Sequence, residues 1–439
     1  MTKDMGKMHL MALLLFTPIN HMTLSWADES DERIDELGSF QRWQKLAQAL
    51  EKAKFDGIFF ADVPSVHDDY RGSTDDMVRY GVSWPAHDPL AAVGPMAAAT
   101  SNLGFATTIS VAGRQPFHVV RSISTLNYMS GGRVGWNVVT GHARAEHRAL
   151  GLDTHMDHAE RYKRAEEFME ICYQLWDGIP PDAVLADRVS GIFADPAKVQ
   201  KVNYDGQYFR CHTTPSVLPA PGGRPVLFQA GSSSTGKEFS VRHADVMFSI
   251  QREQEAMGRI VNDLTEVGVS LGRSEPVRVM FGMQVILGGT EEEALKRRDQ
   301  LIARIPLDAA LARASGTLGI DFSQIDIDKP LSEWDTQASR GTMASVVAMF
   351  GNSNKTIRQV IASSGQAIGF PQVVGTPEQV ADKLEMMWRN SGGHGFVLSP
   401  AVNPLDLVNF AEQVVPILQS RGVFREDYTS TTFRENILK

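Results

Sequence analysis

Arg133-Val-Gly-Trp-Asn137-Val-Val-Thr140-Gly141-His142 follows the turn Ser130-Gly-Gly132, runs apolar for the length of a strand, and ends abruptly on polar groups. A strand that is greasy along its body and chemical only at its C-terminal end is what a (β/α)8 barrel displays at its working rim. The signature recurs along the chain. Short continuous apolar runs, the mark of strands buried on both faces, occur at Met8–Phe16, Gly57–Val63, Leu103–Val111, Pro225–Ala230, Asp245–Ile250, Val277–Leu287 and Gly395–Ser399. Segments of helical period lie between them; from Phe40 onward, Trp43, Leu46, Leu50 and Phe55 share one face. Strand–helix alternation predicts parallel βα units. The expected fold is therefore α/β, a (β/α)8 TIM barrel forming a single domain over residues 1–439, with insertions at about 178–224 and 306–374. An open doubly wound sheet is the alternative.

The chain of 439 residues, 43% hydrophobic, can bury a large core. A formal charge of −9 without a basic stripe argues against nucleic acid as a partner. Cys172 and Cys211 are the only cysteines and form no Cys-x-x-Cys pair, so a reducing compartment is expected rather than a disulfide framework or thiolate zinc site. Lys3 and Lys7 before Met8–Phe16 imitate the start of a signal peptide, but no small-residue cleavage site follows and the run is too short for a membrane span. It reads as a first buried strand, and the protein as cytoplasmic with no membrane partner. No GxGxxG follows a strand, and GxxxxGK[ST], HExxH and GxSxG are absent, which removes the usual warrants for dinucleotide, P-loop, zincin and serine-hydrolase chemistry.

Barrel strands should carry chemistry at their C-terminal ends. Asp62 ends the second run, Thr108 lies late in the third, Asn137 and Thr140 late in the fourth, and Ser232 and Ser233 follow the fifth. Gly231-Ser-Ser-Ser-Thr-Gly236 before a helix suits a phosphate, because small residues let N–H groups approach an anion at a helix N-terminus. A plain N-cap by Ser234 or Thr235 is the simpler explanation. His158 and Tyr162 share a helix face, with Arg161 between them. His67-Asp-Asp69 and His87-Asp88 are loop clusters, a weak basis for a metal, and no metal site is expected.

Together these residues resemble the bacterial-luciferase-like flavin monooxygenases, in particular the group containing nitrilotriacetate, long-chain alkane and dibenzothiophene-sulfone monooxygenases and pristinamycin synthase. The resemblance covers nearly the whole chain. It rests on Lys54-Phe-Asp56 with Phe60-Ala-Asp62, Ser130-Gly-Gly-Arg133 with Trp136-Asn-Val-Val-Thr140, and His158-Ala-Glu-Arg-Tyr162. Phe228-Gln-Ala-Gly-Ser232-Ser233, Gly375-Thr-Pro377 and Val415-Pro-Ile-Leu-Gln-Ser-Arg-Gly422 complete it. It implies a luciferase-like barrel that uses FMN, as FMNH2, with O2 to insert one oxygen atom into a small organic substrate, in catabolism of a xenobiotic, sulfur- or nitrogen-containing compound. It also implies an NAD(P)H:flavin reductase as partner and a homodimer or homotetramer. Carried over position by position, Asp62, Thr108, His158, Tyr162 and Ser233 match flavin-binding residues, and Val139, Thr140 and Ser232 fall in segments lining the cofactor. Thr108 and Asn137 match the pair that, in the related pyrimidine oxygenase, sits where oxygen meets the flavin edge. His21 and His142 match positions near the substrate in alkane monooxygenase, where an imidazole titrating near neutral pH could carry a proton.

Three departures fall on the substrate side. Gly141 replaces a Ser, removing a hydroxyl; Leu24-Ser-Trp26 breaks a His-Gly-x-Trp-Arg pattern; and His67 replaces a Tyr. For an anionic substrate Arg71, Arg79 and Arg114 are available, and for a sulfur or aromatic one Trp26, Trp84 and Phe117. A flavin- or deazaflavin-dependent dehydrogenase, a non-catalytic flavin-binding barrel and a metal-dependent barrel hydrolase are the rival readings.

Overall fold

The computed structural model describes residues 6–31, 36–141, 143–152, 156–231, 233–333, 354–364 and 370–439. Strands β1 (His9–Leu14), β2 (Gly57–Phe60), β3 (Gly104–Ser110) and β4 (Val134–Val139) occupy the first four apolar runs. Two largely exposed hairpins follow, β5 (Val184–Asp187) with β6 (Ile192–Ala194) and β7 (Val202–Asp205) with β8 (Arg210–Thr213). They lie between β4 and β9, within residues 178–224. The later runs become β9 (Val226–Gln229), β10 (Val246–Ser249), β11 (Arg278–Leu287) and, after a short strand β12 (Gln372–Gly375), β13 (Gly395–Pro400).

Eight of these strands close a parallel barrel in the order β10-β9-β4-β3-β2-β1-β13-β11, sealed by β10 against β11. The expected (β/α)8 barrel is the observed one. The long strand β11 serves two neighbours on one edge: Arg278–Phe281 pair with β10, while Gln284–Leu287 pair with β12.

Strand parity divides the core. Leu10, Leu14, Ile58, Phe60, Phe105, Ile109, Trp136 and Val138 pack outward against the helices. Met11, Leu13, Phe59, Ala106, Val226, Phe228, Phe248, Met280 and Val397 fill the barrel. Burial of both faces is why the strands read as unbroken apolar runs.

The N-terminal end of the barrel is plugged by the helix Phe433–Leu438. Phe433 stacks on Phe228 with ring centroids 6.0 Å apart. A Cβ on Gly104 would lie 2.1 Å from the Phe433 ring, so β3 can begin only with glycine there. Arg425 ties this tail to the barrel by bonding both the buried Asp56 and, at 2.7 Å, Asn436 O. Asp56 also takes His9 Nδ1 at 2.7 Å and Leu10 N at 2.8 Å.

At the other end, the helix Leu307–Leu318, between β11 and β12 in sequence, covers the loops that follow β1 and β2. Ile19, Tyr70, Met77 and Val82 form a separate apolar cluster with its alanines and Leu311. Among the described residues no helix is long and apolar enough to cross a membrane.

Candidate active site

Thr108 and Asn137 are register partners on β3 and β4, both buried near the C-terminal mouth. Thr108 Oγ1 donates to Phe60 O at 2.7 Å, which commits its only proton. It can then only accept, and Asn137 Nδ2 donates to it at 2.8 Å. This network fixes which end of the amide is which. Asn137 Oδ1 is left buried with no hydrogen-bond partner among the described residues. Native interiors rarely leave such an acceptor open, so a ligand N–H or O–H is the natural completion.

At the end of β3, Ser110 hydrogen-bonds the Glu146 carboxylate. Gly141 stands at φ +69°, and a Cβ there would lie 2.6 Å from Ala112 Cβ, 2.8 Å from Ser110 Oγ and 3.1 Å from Glu146 Oε2. Glycine is therefore required. The Ser110 hydroxyl, held by Glu146, lies beside the place where a side chain at 141 would begin. Asp62, half-buried past the end of β2, is pushed up to about 7 by burial first, with Asp88 and Glu146 adding to it and Arg114 opposing.

A second cluster stands past β9. Ser233 caps the helix Ser234–His243, its Oγ accepting from Gly236 N at 3.1 Å, so the cap lies one residue before those expected. The helix starts that early because Ser233 is still extended (φ −68°, ψ 164°). His158 Nε2 sits 3.2 Å from Ser233 Oγ, and the His158 and Tyr162 ring centroids are 5.0 Å apart on one helix face. Gln229 Oε1 pins Gly231 N at 2.6 Å. A Cβ on Gly231 would come 2.6 Å from Tyr162 Oη, and one on Gly236 2.9 Å, so both glycines make room for the phenol beneath the turn. Burial pushes the Tyr162 pKa up, keeping the phenol protonated and able to donate. A hydroxyl, an imidazole, a phenol and a helix N-terminus converge, which is a donor set for a phosphate.

The third group lies at β1 and β13. His21 Nδ1 is 2.9 Å from Ser399 Oγ, and its ring packs on Phe370 with centroids 4.4 Å apart. Burial, then the nearby Arg313 charge, push its pKa well below the usual histidine range. Both causes favour the uncharged imidazole. His67 lies against Gly316, where a Cβ would come 2.4 Å from the ring.

Several expected substrate contacts are engaged elsewhere. Arg71 pairs with Asp76 and Asp308 at 3.3 and 3.0 Å, and Arg79 with Asp76 at 3.2 Å. Trp26 and Trp84 are exposed, and Phe117 lines a cavity outside the barrel with Val120, Leu175 and Trp176. Val139 and Thr140 are half-buried at the end of β4, while His142 and Ser232 lie outside the described residues. Among the described residues no group of three or more His, Cys, Asp or Glu is placed to hold a metal. Gln229, Ser399, Phe370 and Arg313 were not foreseen. A polar residue interrupting an apolar run was the available signal for the first two; Phe370 carried none.

The profile of a family described as luciferase-like monooxygenase matches residues 11–395. A long-chain alkane monooxygenase of Geobacillus thermodenitrificans is 36% identical, covering 90% of this chain and 86% of its own. A nitrilotriacetate monooxygenase component A of Aminobacter aminovorans is 33% identical, covering 90% of this chain and 89% of its own. The crystal structure of a riboflavin lyase with modified FMN and riboflavin superposes with a TM-score of 0.90 at 31% identity, covering 99% of this chain and 96% of that one.

The Asp62 environment has a consequence for stability. Its carboxyl titrates near 7 in the fold and near 4 when unfolded. The fold thus favours the protonated form, and the stability this lends is full below about pH 4 and lost as pH rises through about 7. Asp62→Asn stays neutral throughout, so it should raise the thermal midpoint more at pH 8 than at pH 5.5. Equal changes at the two pH values would contradict the assignment.

Proposed function

The chain belongs to the luciferase-like monooxygenase family and is a flavin-dependent monooxygenase; from that premise we propose that it is the oxygenase component of a two-component system. In this reading it takes FMNH2 from a separate NAD(P)H:flavin reductase and inserts one atom of O2 into a small sulfur- or nitrogen-containing organic molecule. The relative named component A and the lack of a nicotinamide fingerprint support a separate reductase.

One observation carries the proposal: a phosphate-type donor set past β9 and an open buried acceptor on its ring neighbour β4. A flavin mononucleotide has a phosphate at one end and a ring edge at the other. Ser233, His158, Tyr162 and the N-terminus of the helix Ser234–His243 would hold the phosphate. Asn137 Oδ1 would accept the N–H that the central ring carries only when reduced, and Thr108 holds the amide in that orientation. Val139, Thr140 and Asp62 would line the same rim, with Ser232 and His142 assigned beside the cofactor and the substrate by the motif alone. When bound, the flavin supplies the redox chemistry that activates O2. The protein orients the reactants and, with the barrel plugged below by Phe433, limits water at the reacting groups. His21, neutral and held by Ser399, offers the substrate a hydrogen bond without a charge.

We also place the protein in the cytoplasm, as one barrel domain with two excursions, assembled as a dimer or tetramer. The β5–β6 hairpin supports assembly, since Val189 and Phe193 on it are 98% and 63% exposed.

The test is reconstitution with NADH, FMN, a generic flavin reductase and isotopically labelled O2 over a panel of thioethers, sulfones and amines. The expected result is a product carrying one labelled oxygen only when the reductase is present. Reduced flavin oxidising at the protein-free rate with every compound would overturn the reading. For the phosphate site, Tyr162→Phe combined with Ser233→Ala should raise the FMNH2 dissociation constant about tenfold or more per lost bond. An unchanged constant would rule the cradle out.

A further inference from the structure

Arg313 lies in the helix Leu307–Leu318, where every residue from Ala309 to Gly316 is buried. Its side chain is 4% exposed. Nη2 donates to Asn20 O at 2.9 Å and Nη1 to Thr23 Oγ1 at 3.3 Å, both neutral acceptors in the loop that carries His21. No carboxylate among the described residues forms an ion pair with it. Burial lowers its pKa only to about 10, so it remains a cation at neutral pH.

The same fold shows how it satisfies a guanidinium that is purely structural. Arg133, 5% exposed, donates to Ser130 O, Thr100 Oγ1, Leu103 O and Ala97 O, with the Glu51 charge nearby. Arg425 is paired with Asp56. Among the described residues Arg313 makes half the bonds of Arg133 and meets no acid, although burying a cation without a counter-charge is costly. Its forked donors suit two parallel bonds to a carboxylate or sulfonate.

Its position excludes the flavin phosphate as that anion. In the ring of eight strands β1 stands directly opposite β9, so the Arg313 loop faces the phosphate cradle from across the mouth. On its own side are His21, Phe370 and Ser399, and His67 rests on Gly316 one turn along the helix. Of the three arginines available to an anion by sequence, Arg71 and Arg79 are already paired, and the Arg114 charge acts on Asp62 and Glu146.

We propose that Arg313 is the anion receptor of the substrate pocket, and that the molecule oxidised carries a carboxylate or sulfonate held by this guanidinium. The word substrate rests on the monooxygenase reading; the anion site itself can be measured without flavin.

Isothermal titration of the full chain, with and without FMN, would use methylthioacetate, iminodiacetate, succinate and methanesulfonate, each beside its neutral amide. At least one acid is expected to bind about tenfold or more tightly than its amide, and Arg313→Met should abolish that preference while leaving FMN affinity unchanged. Arg313→Lys keeps charge and length but not the fork, so it should weaken the preference and gives a reading even where the Met variant does not fold. Acids binding no better than amides, or a preference unchanged in either variant, would overturn the proposal. Acid preference persisting in a protein that fails to bind FMN would leave the anion site standing and sink the flavin reading instead.

Discussion

Thr108 has one proton, and it goes to the carbonyl of Phe60. That bond ties β3 to the end of β2 and turns the Thr oxygen into a pure acceptor, which then takes the amide of Asn137 from β4. The amide oxygen, without a partner among the described residues, becomes an open acceptor of the mouth. A one-residue slip of β3 or β4 would turn that strand's side chain to the helix layer and break the Thr108–Asn137 pair. The chemistry of this end of the barrel thus depends on strand pairing, with Phe433 filling the opposite end of the barrel interior.

The mouth has two chemically different sides. Past β9 the groups are a hydroxyl, an imidazole, a phenol and backbone N–H groups at a helix start, suited to a phosphate without a fixed cation. Across the ring, past β1, lie a neutral histidine and a buried guanidinium. The rim carboxylates Asp62 and Glu146 are both raised chiefly by burial, and neither pairs with Arg313. Among the described residues no acid pairs with that cation, which leaves its charge for the anion proposed to enter from outside.

All eight barrel strands were legible because a strand buried on both faces leaves an unbroken apolar run, and the structure trims those runs by only a few residues. Strand β12 was not: Gln372–Gly375 is short and falls inside what reads as an insertion. The hairpins β5–β6 and β7–β8 escaped because exposed arms need no apolar pattern. At the site, Thr108, Asn137, His158, Tyr162 and Ser233 could be picked by position and motif, yet which atom of Asn137 stays open needs the Phe60 bond. That Gly141 is required by its φ and by the close Ala112 and Ser110 atoms could not be read from sequence, which reports neither. Arg313 was invisible for the opposite reason: one arginine in an Ala-rich helix reads as a solvent-facing residue, and only tertiary packing buries it.

The central claim is that the mouth is built for reduced flavin, and the most direct measurement is an anaerobic titration of the full chain with photoreduced and with oxidised FMN, repeated for Asn137→Ala. The account predicts that the wild type binds the reduced form more tightly and that the variant loses most of this preference while binding oxidised FMN as before. Equal affinity for the two redox forms in the wild type, or a preference untouched by the substitution, would contradict it.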